Sequence, residues 1–257
     1  MGRIHMKTIS IQEFISYKKT VKDTFDAIGA GTVLEKQTKI LLKPNLVNNS
    51  PFPITTSPDC CEAVIEYIKT CSNAEIIIAE GCGDKDLDTS DIFKDLKYTE
   101  VAERHEITLV DLNYAKLKKL SKPDCTVFPE MYLPEIAFTH YIISIPVLKA
   151  HTLSTITGSL KNMLGFAPPK YYSGRFGIWK KAIFHDNIHQ SIIDLNKYRS
   201  PDLTLLDARV GMADYHLGGP QCEPPVNKIV AGFSPLAVDR EAAQLLGFNW
   251  QDIPHLI

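Results

Sequence analysis

"YIISIPVLKAHTLSTITGSLKNMLGF", residues 141–166, decides how this chain is read. Its first half, Tyr141 to Lys149, is a branched apolar run of strand length. Its second half reads as a helix from about Ser154 to Gly165. Leu153, Ile156, Leu160, Met163 and Leu164 recur at helical spacing on one side. Ser154, Gly158, Lys161, Asn162 and Gly165 recur on the other. A glycine inside a helix costs about 1 kcal/mol relative to alanine. Gly158 therefore predicts that a ligand or a neighbouring backbone comes close to that polar face.

The same alternation runs outward in both directions. "KILLK" (39–43), "EIIIAE" (75–80), "ITLVDLN" (107–113), "DLTLLD" (202–207) and "NKIVAGF" (227–233) read as further strands. Helices are predicted over 57–71, around 89–103, over 187–198 and over 235–246. Short β-branched runs between helices predict an α/β fold: a mostly parallel sheet with helices on both faces, in three layers. Residues 125–140 carry Pro129 and Pro134, which exclude a central strand and leave an edge hairpin or a long crossover.

The chain has 257 residues, enough for one large domain with its own core. A tag or disordered start is expected over 1–6, and a single α/β domain over 7–257. Charged residues make up 23% and the formal net charge is -2, so no global charge draws the protein to nucleic acid or anionic membrane. No apolar run is long enough to span a bilayer and the N-terminus has no signal-peptide core, so a cytoplasmic protein is expected. None of the six cysteines forms C-x-x-C, which argues against a zinc site or an iron–sulfur cluster in this chain and for buried free thiols.

Ionisable residues gather where the predicted strands end. Lys43 and Asn45 follow the first, Glu80 the second, Asp111 and Asn113 the third, Lys149 and His151 the fourth, and Asp207 and Arg209 the fifth. Open α/β sheets bind ligands outside the carboxyl ends of their strands. The predicted helix after Lys149 would point free backbone N–H groups at the same edge, an anion-binding arrangement. No G-x-x-x-x-G-K-[ST] or G-x-G-x-x-G motif is present, so neither a P-loop nor a familiar dinucleotide site is supported. His185 and His189 are four apart and form a candidate pair for a divalent metal, with His151 or Asp186 as a third ligand. The segment 166–186, rich in Pro, Gly, aromatic and basic residues, reads as a lid with Tyr171, Tyr172, Arg175 and Trp179 as contacts.

Several of these segments resemble the domain of unknown function 362 family. They are "LLKPNLV", "LVDLN", "IPVLKAHTLSTITGSLKNMLG", "HDNIHQSIIDLN", "LTLLDARVGMADYHLGGP" and "GFSPLAVDREAAQLLGFNWQDI", in order over nearly the whole chain from Lys39. Many relatives carry a fused ferredoxin-like module with four-cysteine motifs, which this chain lacks. Relatives tend to continue past the position of Ile257, so the resemblance implies either a short form or a chain cut short at its C-terminus.

The expected function is an enzyme acting on a small anionic molecule. Lys43, Asn45, Lys149, Thr157, Gly158, Lys161, Asn162 and Arg175 are the binding candidates, with Lys149, His151, Lys161 and Asn162 set to stabilise developing negative charge. His189, Glu80 and His151 are the proton-transfer candidates. One alternative is a non-catalytic module that docks an iron–sulfur redox partner. Another is a nucleotide or nucleic-acid binder that uses Lys170, Arg175, Lys180 and Lys181, disfavoured by the near-neutral charge.

Overall fold

The computed structural model describes residues 9–174 and 180–257. The expected start over 1–6, and Arg175 and Trp179 of the expected lid, lie outside the described residues.

The chain opens with β1 (Ile9–Glu13), α1 (Tyr17–Ala27) and the short α2 (Ala30–Leu34). β2 (Lys39–Pro44), α3 (Pro58–Cys71) and β3 (Glu75–Glu80) follow, then α4 (Thr89–Asp95), α5 (Tyr98–His105) and β4 (Thr108–Asp111). α3 starts where the sequence places it, with Ser57 at the cap and Pro58 in the first turn. β5 (Leu117–Ser121) and β6 (Glu130–Pro134) pair antiparallel in a small separate sheet, with Pro129 and Pro134 at the ends of β6. The deciding stretch comes next as β7 (Tyr141–Ile145), β8 (Val147–His151), β9 (Thr155–Thr157) and a one-turn α6 (Ser159–Asn162). After α7 (Pro169–Tyr172) come α8 (Ile188–Tyr198), β10 (Leu203–Met212), β11 (Lys228–Gly232) and α9 (Pro235–Leu245).

The large sheet runs β1-β11-β10-β7-β2-β3-β4, with β8 and β9 attached beside β10. It is mixed rather than mostly parallel. β10, β7, β2, β3 and β4 are parallel neighbours. β11 runs antiparallel to both β10 and β1, and β9 antiparallel to β8. The correction has a local cause. The connection 213–227 returns the chain beside β10 without a helix, so β11 must run backward. β1 then adds to the free side of β11.

Alternate strand residues feed two separate cores. Leu41, Ile142 and Leu206 pack with Ile192 and Leu195 of α8 and Val238 and Ala242 of α9. Ile40, Leu42, Ile143 and Leu205 pack with Val21 and Phe25 of α1 and Val64 and Ile68 of α3. Burial of both strand faces explains why these runs read as continuous rather than alternating apolar.

The deciding stretch departs from its reading in two ways. Pro146 has no N–H to donate and breaks the single expected strand into β7 and β8. The expected helix from 154 to 165 begins only at Ser159. Thr155, Ile156 and Thr157 instead fold back on β8 with the register Lys149↔Thr157 and His151↔Thr155. Three consecutive β-branched residues favour a strand over a helix. Gly158 is thus the residue before a short helix, not a mid-helix glycine.

Candidate functional site

The carboxyl ends of β2, β3 and β8, together with β9 and α6, wall a cavity of about 380 Å³. Lys43, Asn45, Glu80, Lys149, His151, Thr157, Lys161 and Asn162 all line it. So do three residues the sequence reading left out of the site: Lys181, His216 and, except as a metal candidate, His185.

Lys43 and Glu80 form a buried ion pair, Nζ to Oε2 at 2.7 Å, with side-chain exposures of 1% and 3%. The Lys43 ammonium also donates to the Pro44 carbonyl (2.9 Å) and to Asn162 Oδ1 (3.2 Å). All three of its protons are engaged. Glu80 accepts from the backbone of Leu46 (3.0 Å) and Gly81 (2.8 Å) as well. Gly165 admits this pair, since a Cβ there would stand 2.6 Å from Lys43 Nζ.

Asn162 is the hub of the wall. Its Oδ1 accepts from Lys43 and from Asn45 Nδ2 (3.1 Å), and its Nδ2 donates to the Lys43 carbonyl (3.0 Å) and Ser144 Oγ (3.1 Å). The side chain's capacity is filled by protein. Lys43 and Asn162, expected as binding groups, therefore build the site and hold no free hydrogen-bonding group toward a ligand.

Lys149 and Lys181 are differently placed. Lys149 donates to Asn45 Oδ1 (2.6 Å) and the Ile54 carbonyl (2.8 Å). Lys181 donates to Asn113 Oδ1 (2.6 Å) and the Ala167 carbonyl. Among the described residues each keeps one N–H in reserve. Burial pushes both ammonium groups down to about 7, with Lys161 and Lys43 adding to the effect at Lys149, and Lys43 at Lys181. Lys161 has neither a carboxylate nor a hydrogen-bond acceptor against its ammonium among the described residues, and burial alone lowers it to about 8.

Three histidine rings complete the lining. His151 and His216 stack at 4.0 Å between ring centres, and His151 and His185 lie 6.4 Å apart. His151 Nδ1 accepts from the backbone N–H of Leu153 (3.1 Å) and Ser154 (3.2 Å), so in the neutral ring the proton is on Nε2. Burial, then the positive charge of Lys161, lowers His151 to about 2 and His216 to about 3. Both rings are neutral at physiological pH. His216 Nδ1 and Thr157 Oγ1 are buried without a hydrogen-bond partner among the described residues, and both residues line the cavity.

Other expectations fall elsewhere. Gly158 does not line the cavity, and what approaches it is a side chain of the protein itself. A Cβ at 158 would stand 2.6 Å from Asp239 Oδ2. The Asp239 carboxylate accepts from the N–H groups of Ser159 (2.6 Å) and Leu160 (2.9 Å), and so takes the place expected for an anion at this helix start. His189 is not at the cavity either. It pairs with His255, Nδ1 to Nδ1 at 2.8 Å, away from His185, whose Nδ1 lies 3.2 Å from the Lys181 carbonyl. Among the described residues no group of three or more His, Cys, Asp or Glu is arranged to hold a metal. Tyr172 of the expected lid is a core residue, edge-on to Phe128. Tyr171 stacks on Tyr132 in a separate groove. Asp207 is fully buried, holding the Tyr17 hydroxyl at 2.7 Å.

The domain of unknown function named DUF362 matches residues 40–244, well over half of the chain. The protein belongs to this family. No curated protein matches it. In this DUF362 chain the matched span holds every cavity residue named above. Among the described residues, no helix is long and apolar enough to cross a membrane.

His216 and Lys181 were hidden for different reasons. His216 comes from the connection 213–227, which no periodicity anchors. Lys181 sits in a basic, aromatic segment that reads equally well as a nucleic-acid patch.

Proposed function

We propose that the cavity binds a small anionic molecule, a carboxylate or phosphate ester, and that the protein acts on it as an enzyme. One observation carries this reading. Four lysines line the cavity against a single carboxylate, and that carboxylate, Glu80, is already held by Lys43. The undescribed residues 1–8 and 175–179 contain no Asp or Glu that could balance the rest. Unmatched buried charge is costly, so such a site either loses protons or gains an anion. The free N–H groups of Lys149 and Lys181, the whole ammonium of Lys161 and Thr157 Oγ1 are the groups that would hold it. Neutral His151, with its proton on Nε2, would donate to an oxygen that gains negative charge in the reaction. A reducing, cytoplasmic setting fits the six free cysteines.

Thermal melts with orthophosphate, oxalate and succinate test the binding step. A ligand at about a hundred times its dissociation constant stabilises by about 2.7 kcal/mol. At least one of these anions should raise the melting temperature, while glycerol at the same concentration does not. A melt that no anion shifts would remove the reading.

A further inference from the structure

We propose that Lys161 is an imine-forming nucleophile, and that the cavity takes a small oxo acid: a molecule with both a carboxylate and a ketone or aldehyde. This rests on the anion reading of the same site and goes beyond it by naming the substrate class and the reacting atom.

The cavity holds four lysine amines in distinct circumstances. Lys43 is tied to Glu80 and two further acceptors, which engage every proton on its nitrogen. Lys149 and Lys181 are each tied to two acceptors and cannot leave them without exposing buried carbonyls. Lys161 is the one lysine of the lining whose nitrogen has no acceptor among the described residues. A carboxylate beside a lysine favours its proton, whereas a desolvated lysine without one gives it up more readily. Lys161 is of the second kind. With its amine lowered to about 8, roughly a tenth is neutral at pH 7, against well under a hundredth for an ordinary lysine. A desolvated lysine in this setting is a recognised form of activated amine.

The remaining groups suit a carbonyl that carries a negative charge. The spare N–H of Lys181 and the Thr157 hydroxyl supply two contacts for a carboxylate, leaving the carbonyl for Lys161 and the spare N–H of Lys149 for the departing oxygen. The neutral Lys161 nitrogen attacks the carbonyl carbon, and a C–N bond forms as the C=O pair moves to oxygen. That oxygen takes one proton from nitrogen and a second from an acid. It leaves as water when the C–O bond breaks, and the nitrogen lone pair closes the C=N bond. Lys149 is the acid at hand: it lies close enough to Lys161 to feel its charge, and its ammonium, near 7, can give a proton and regain it from solvent. No oxidant or reductant is needed.

The experiment is borohydride trapping on the whole chain. The protein is incubated with pyruvate, glyoxylate or 2-oxoglutarate, reduced with sodium borohydride, and its intact mass and peptides are measured. The expected result is one reduced adduct per chain on the peptide that carries Lys161. It should be absent without the oxo acid and suppressed when succinate competes. Lys161→Arg should lose the adduct, since a guanidinium forms no imine here, while keeping a cooperative melt. If that variant fails to fold, the succinate competition on the unmodified protein still decides. Adduct on Lys149 or Lys181, or spread over surface lysines and unmoved by succinate, overturns the assignment. No adduct while oxo acids still raise the melt overturns the imine and leaves the anion site standing. No adduct and no melt shift with any anion overturns both.

Discussion

The Asp239 carboxylate occupies the place that a side chain at Gly158 would need. The two residues come from α9 and from the turn before α6, and the contact fastens the helix to the wall of the cavity. Gly158→Ala should therefore destabilise the fold by roughly 1–3 kcal/mol through overpacking. Urea unfolding of the variant measures this. A variant as stable as the parent would show that the carboxylate can move aside freely.

Asp239 also predicts a pH effect. Burial raises its carboxyl to about 7, against the pull of two backbone donors. A group whose folded pKa lies above its unfolded value contributes stability below the unfolded value, and that contribution is lost as pH rises through the folded one. The parent should lose stability relative to Asp239→Asn between about pH 4 and pH 7. Melts of the two proteins across that range should converge or cross; a constant gap would contradict the prediction.

Two lysines of one cavity should answer oppositely to the same substitution. Lys43→Met leaves Glu80 buried without its cation and should cost about 3–5 kcal/mol. Lys161→Met removes a charge with no partner among the described residues, so it should leave the empty protein unchanged or more stable. It should still weaken anion binding by about 1.5–3 kcal/mol, the worth of a charge-assisted hydrogen bond. Denaturation and titration of both variants separate a builder of the site from a binder.

Lys149, Lys161 and Lys181 have folded pKa values below their ordinary one. Their contribution to stability is present above the unfolded value and is lost as pH falls through about 8 to 7. A bound anion cancels that loss. The melt shift given by succinate should therefore grow as pH is lowered from 9 to 7. A shift that is flat over this range would mean the dicarboxylate sits away from these lysines.

The convergence of Lys43, Glu80, Lys149 and His151 on one cavity was legible in the sequence because each stands at or just past the end of an apolar run. Strand runs and the helices α3, α8 and α9 were legible for the same reason: their patterns are long and their punctuation is local. The β8–β9 turn was not. Ile156 fits a helical stripe as well as it fits a strand, and only the pairing with Ala150 decides. The partner of Gly158 could not be read at all, since Asp239 lies far along the chain on a helix where an aspartate would ordinarily face water. Packing across sequence distance, rather than local preference, made each of these choices.

The turn that follows β8 has one more consequence. Leu153 is 54% exposed, yet its amide, with that of Ser154, is bonded to a ring nitrogen of His151. Hydrogen exchange at the Leu153 amide should be slow for so open a residue, and it should be released together with the buried Ser154 amide when His151 Nδ1 gains a proton. A solvent-facing turn thus reports the protonation of a buried ring, and offers a spectroscopic view into the cavity that needs no ligand.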